Sequence, residues 1–101
     1  MAYKIINTAV AKKSFQQNIM YLKEDWTIKE VKNFILKTES IINLLKISPQ
    51  TFQKWEYNSS VRKVLVVKQI TLFYRINGET VEILLFWNNY KNPDYLNNIL
   101  T

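Results

Sequence analysis

The strongest constraint on this chain lies in its second half. Three segments rich in β-branched and aromatic residues follow one another almost without a break: Ser60–Val67, Ile70–Asn77 and Glu79–Trp87. Such runs favour extended structure. Asn77-Gly78 is the preferred type I′ turn pair, and Lys68-Gln69 is read as a second two-residue turn although neither residue favours positive φ. Strands joined so tightly read as consecutive antiparallel hairpins, and one face of such a sheet needs a cover.

The first half supplies it. Tyr3–Asn7 reads as a short strand, with Asn7 or Thr8 capping the helix behind it. From Ala9 the apolar residues recur at Ala11, Phe15, Ile19 and Leu22, with Trp26 one step further, at the spacing of an amphipathic helix. Thr27-Ile28-Lys29-Glu30 fits a capping box, with Trp26 and Val31 placed as a hydrophobic staple. Val31, Phe34, Ile35, Thr38, Ile41, Ile42 and Leu45 then make one stripe, which Ser48-Pro49 ends. Two helices so closely joined should form an antiparallel hairpin. Gln50 to Ser59 reads as irregular, with Phe52, Trp55 and Tyr57 to pin it down; Trp55 and Tyr57 read as core plugs. Asn92-Pro93-Asp94 is a cap, a proline at the first helical position and an acid in the first turn, and starts a short helix through Tyr95, Leu96, Ile99 and Leu100. The expected fold is α+β in the order β-α-α-β-β-β-α, a single domain over residues 1–101. Its helical hairpin packs on one face of a mainly antiparallel sheet.

Composition narrows the chemistry. The chain is 48% hydrophobic with one glycine and two prolines, which suits one modest core with little linker material. Cysteine and histidine are both absent. That excludes disulfides and thiolate metal sites, and it removes the commonest general acid–base group and every Ser-His or Cys-His arrangement. No metal or cofactor is expected, and any chemistry must use Lys, Arg, Tyr or carboxylates. Fourteen Lys and Arg against eight acids give a formal charge of +6, which favours an acidic partner. No apolar run approaches the roughly 20 residues that span a bilayer, and the N-terminus lacks a signal-peptide apolar core. A soluble, cytoplasmic protein without membrane contact is expected.

The turns assign faces. With Asn77-Gly78 as the turn, Ile70, Leu72, Tyr74 and Ile76 lie opposite Leu85, Ile83, Val81 and Glu79 and meet the helices. The other face carries Thr71, Phe73 and Arg75 opposite Leu84, Glu82 and Thr80, and alternation adds Phe86, Asn88 and Tyr90. The Lys68-Gln69 turn places Arg62 directly opposite Arg75 on this face, beside Val64 and Val66. Two facing arginines need an anion, which Glu82 or an external group supplies; the plainer reading is a surface Arg75–Glu82 pair of little energetic weight. So much apolar area marks either a binding surface or a face covered by the C-terminal helix. Lys63 and Trp87 alternate to the helix side. Lys12, Lys13 and Lys23 read as a solvated face, and Asn88, Asn89 and Asn92 as a turn followed by a helix cap.

The segments Ser60-Val61-Arg62-Lys63-Val64-Leu65-Val66-Val67 and Ile70-Thr71-Leu72-Phe73-Tyr74-Arg75-Ile76, with a last strand running into Asn88-Asn89-Tyr90-Lys91-Asn92-Pro93, resemble the RelE/ParE superfamily of toxins from bacterial type II toxin–antitoxin modules. The resemblance implies a small basic β-α-α-β-β-β toxin, neutralised by a cognate antitoxin that wraps a peptide segment around it, with oligomers formed through the antitoxin. It also implies one of two activities: ribosome-dependent mRNA cleavage without metal or histidine, as in RelE-like interferases, or inhibition of DNA gyrase, as in ParE-like plasmid stabilisation toxins. The RNase pattern is incomplete here. Thr71 stands where the RNases carry an arginine, Val64 where they carry a lysine, and Asn89-Tyr90-Lys91 where another arginine follows the last strand. Arg62, Tyr90 and Lys91 remain for charge stabilisation and proton transfer.

The expected function is therefore a ParE-like toxin that is not an enzyme. A metal-independent mRNA interferase is the first alternative, and a basic domain that binds RNA or a protein strand is the second. The expected target- or antitoxin-binding surface is the open face of Arg62, Val64, Phe73, Arg75, Glu82, Leu84, Phe86, Asn88 and Tyr90. Arg62→Ala and Arg75→Ala are expected to weaken function more than stability.

Overall fold

A computed structural model describes residues 2–25 and 27–100, folded around one five-stranded sheet. The strands are β1 (Lys4–Asn7), β2 (Lys54–Trp55), β3 (Asn58–Val67), β4 (Ile70–Asn77) and β5 (Thr80–Asn88), in the spatial order β1-β5-β4-β3-β2. Only the β1–β5 pair is parallel; the other pairs are antiparallel. The helices are α1 (Ala9–Asp25), α2 (Ile28–Ile47) and α3 (Asp94–Leu100). The α+β order expected from the sequence is present, with two additions in the stretch read as irregular: a short 3₁₀ turn at Pro49–Thr51 and the edge strand β2.

Capping places the helices. Thr8 caps α1: its Oγ1 accepts from the Ala11 N–H at 3.1 Å and donates to the Ile83 carbonyl at 2.8 Å, so the cap also ties the helix to β5. Thr27 caps α2, its Oγ1 accepting from the Glu30 N–H and bonding the Glu30 carboxylate, both at 3.4 Å. The staple expected from Trp26 lies outside the described residues. Residues 11–16 of α1 border residues 35–42 of α2, while Lys23 borders Ile28 and Val31, so the two helices are antiparallel. They bury Leu22, Phe34 and Leu45 completely against Leu72, Tyr74, Val81 and Ile83. Each such side chain contributes about 1.5–3 kcal/mol relative to exposure. Among the described residues no helix is long and apolar enough to cross a membrane.

A second core lies on the far face of the sheet. Trp55, Val61, Phe73, Leu85 and Trp87 pack there beneath Leu96 of α3, with Leu84 and Leu100 at the margin. Asn92 Oδ1 accepts from the Asp94 N–H at 3.0 Å, which starts α3 where the Asn-Pro-Asp signal put it. The C-terminal helix therefore covers the face expected to be open.

Two bulges and one turn explain how the sheet departs from the expected register. Asn77 pairs with Thr80, so the loop is Gly78-Glu79 rather than Asn77-Gly78. Gly78 has φ of 60° and no other described residue has positive φ, which is the pattern of a type II′ turn with glycine first. This moves the pairing by two residues and leaves the faces unchanged. A bulge then inserts Leu84, because Tyr74 pairs with Ile83 but Phe73 pairs with Leu85. A one-residue slip exchanges the faces. Leu85 and Trp87 turn to the far core and Phe86 turns to the helices, each the reverse of the expectation. In β3 the Lys68-Gln69 turn forms as expected, since Val67 pairs with Ile70, but a second bulge at Val66 moves Arg62 opposite Tyr74 instead of Arg75. Arg62 and Val64 thus belong to the helix side, and Lys63, opposite Phe73, belongs to the far side.

Candidate functional site

The residues expected on one open face are divided among several environments. Val64 and Phe86 are core on the helix side, and the Phe86 ring stands edge-on to Phe15 and Phe34 at centroid distances of 5.0 and 6.2 Å. Phe73 is core on the far side, with Leu84 partly buried beside it. Arg75 and Glu82 are direct cross-strand partners joined at 2.9 Å, and the Arg75 side chain is 45% exposed. Asn88 is buried at the end of β5, whereas Tyr90 beyond it is 62% exposed. No single binding face joins these residues.

Arg62 is committed to structure. Its Nη1 donates to the carbonyl of Phe52 at 2.7 Å and to that of Gln50 at 3.3 Å. Its cross-strand partner Tyr74 is fully buried and donates its hydroxyl to the Pro49 carbonyl at 2.6 Å. Burial pushes the Tyr74 phenol up to about 12, with the Arg62 guanidinium acting against the rise. Together the two side chains hold the connection from α2 to β2 against the sheet. On the far side Lys63 pairs with Glu56 at 2.8 Å, and its hydrogen bond holds the Glu56 carboxyl below the ordinary value. Trp55 is the core plug expected of it, but Tyr57 is 69% exposed and leans its ring on Trp55 from outside.

The three groups available for RNA cleavage are not assembled. Arg62 stands opposite Tyr74, while Asn88, the last residue of β5, stands opposite Ile70. The four residue steps from Tyr74 to Ile70 span about 13 Å along β4. Tyr90 and Lys91 lie beyond Asn88, whereas proton transfer needs groups within about 3 Å of the reacting atoms. The asparagines near them organise turns. Asn88 Oδ1 accepts from the Tyr90 N–H at 2.9 Å, and Asn89 accepts from Thr71 Oγ1 at 2.8 Å while donating to the Lys68 carbonyl at 3.2 Å.

The open apolar surface lies between the helices instead. A groove of about 380 Å³ runs between α1 and α2, with Ala11, Phe15, Ile35 and Ile42 on its walls and Phe86 at its floor. Lys12 and Gln16 edge it on α1, and Glu39 on α2. Sequence reasoning placed Ile35 and Ile42 in the single apolar stripe of this helix without separating its edge from its centre. The missed signal is the width of the apolar stripe on α2: Val31, Phe34, Thr38 and Leu45 are buried against the sheet, and Ile35 and Ile42 flank that line half-exposed. Such a groove accepts the apolar side chains of an amphipathic segment.

No family model matches the sequence, and no curated protein matches it. Among solved structures, the chain is similar to one from the chromosomal ParDE TA system of P. aeruginosa, with a TM-score of 0.65 and 14% identity over 86% of this chain and 96% of that one. The likeness carries the fold, and that fold is the one the RelE/ParE resemblance implies.

Proposed function

We propose that this chain is the toxin of a type II toxin–antitoxin module, neutralised by a cognate antitoxin whose amphipathic segment seats in the α1–α2 groove. The observation that carries the reading is the fold shared with the ParDE structure along nearly the whole of both chains. Two features support it. The groove is apolar with an edge carrying Lys12, and the chain's formal charge of +6 suits an acidic antitoxin. The mode of toxicity is ParE-like inhibition of DNA gyrase. The alternative, mRNA cleavage, loses support because Arg62 is engaged by backbone carbonyls far from Tyr90 and Lys91.

Induced expression in bacteria tests both levels. Growth is expected to stop with mRNA 5′ ends unchanged. Unimpaired growth would remove the toxin reading, and new ribosome-dependent mRNA cuts would replace the gyrase reading with the RNase one.

A further inference from the structure

β1 pairs only with the first half of β5, from Thr80 to Ile83, so the second half lacks a strand on that side. Side chains of α1 take its place. Ser14 Oγ accepts from the Phe86 N–H at 3.0 Å, and Asn18 Nδ2 donates to the carbonyls of Phe86 and Ser14, both at 2.9 Å. Two acceptors fix the amide's orientation, which leaves Asn18 Oδ1 over. One step further along the edge, Asn88 Oδ1 is taken by the Tyr90 N–H, which leaves Asn88 Nδ2 over.

Asn18 and Asn88 are 5% and 6% exposed, yet these two amide atoms have no partner among the described residues. Neither atom is sealed away, and both residues line one cavity of about 230 Å³ between α1, the end of β5 and α3. Lys91, Tyr21 and Ile99 also line it, and no acid does. The Phe86 ring is engaged by Phe15 and Phe34, and Trp87 by the core under α3, so β5 presents no aromatic ring for stacking.

The cavity therefore offers an acceptor, a donor, a cation and an apolar wall. A nucleobase finds only the Tyr21 ring to stack on and brings no negative charge of its own to Lys91. A free amino acid would bring an ammonium with no acid to receive it. A chain terminus meets every group, because it sets a carboxylate beside a neutral N–H and an apolar side chain. We infer that this cavity takes the C-terminal carboxylate of a partner polypeptide. The carboxylate accepts from Asn88 Nδ2 and Lys91 Nζ, the last peptide N–H donates to Asn18 Oδ1, and the last side chain rests on Ile99 and Tyr21.

Two acetylated tripeptides ending in leucine, one with a free carboxylate and one with a C-terminal amide, provide the test. Each is titrated into the intact protein while the side-chain amide NMR signals of Asn18 and Asn88 are followed. The acid is expected to shift both signals and to bind at least about tenfold more tightly than the amide. Lys91→Ala, an exposed change, is expected to abolish most of that preference. Equal binding of acid and amide, no shift at millimolar peptide, or stronger shifts with cytidine monophosphate would each overturn the assignment.

Discussion

At the scale of single residues, Arg62 and Arg75 part company. Arg62 satisfies two backbone carbonyls, so Arg62→Ala is expected to lower stability by about 1.5–3 kcal/mol in urea unfolding. This reverses the expectation from the sequence alone, in which both arginines served function. Arg75 meets Glu82 in a half-exposed pair, and Arg75→Ala is expected to cost under about 1 kcal/mol by the same measurement. Tyr74 adds a pH signature. Its phenol holds its proton to about 12 in the folded state against an ordinary 10.0, so the unfolded chain loses that proton first as pH rises. The associated stability is complete below about pH 10 and declines between about 10 and 12, by roughly 2–3 kcal/mol. Alkaline unfolding of Tyr74→Phe is expected to lack this step, at the cost of leaving the Pro49 carbonyl without its donor.

At the scale of elements, α3 acts as a lid over a core rather than as a tail. Leu96→Ala is expected to cost about 2–4 kcal/mol and to increase the solvent exposure of Trp87, readable as a red shift in its fluorescence. The sequence revealed the elements well because each carries local signals: Thr8 and Thr27 as caps, Ser48-Pro49 as a stop and Asn92-Pro93-Asp94 as a start. The faces were less legible. The bulges at Val66 and Leu84 fall inside unbroken runs of apolar residues, where alternation carries no mark of an extra residue. Each bulge exchanges the faces of everything beyond it, so Arg62, Val64, Lys63, Phe86 and Trp87 were all assigned to the wrong side. The β4–β5 loop missed by only one residue, because Gly78 serves equally as the second residue of a type I′ turn or the first of a type II′ turn.

At the scale of the whole molecule, the sheet is covered on both faces, and the groove between the helices offers apolar surface to a partner's amphipathic segment. Ile42→Lys, placed at that groove, is expected to leave the chain toxic while weakening protection by the co-expressed antitoxin at least about tenfold. The most direct measurement of the central claim is gyrase-catalysed supercoiling of a relaxed plasmid in the presence of the purified chain. Loss of supercoiling with increasing protein, restored by the antitoxin, is the predicted result. Full supercoiling at every concentration of a chain that still arrests growth would contradict it.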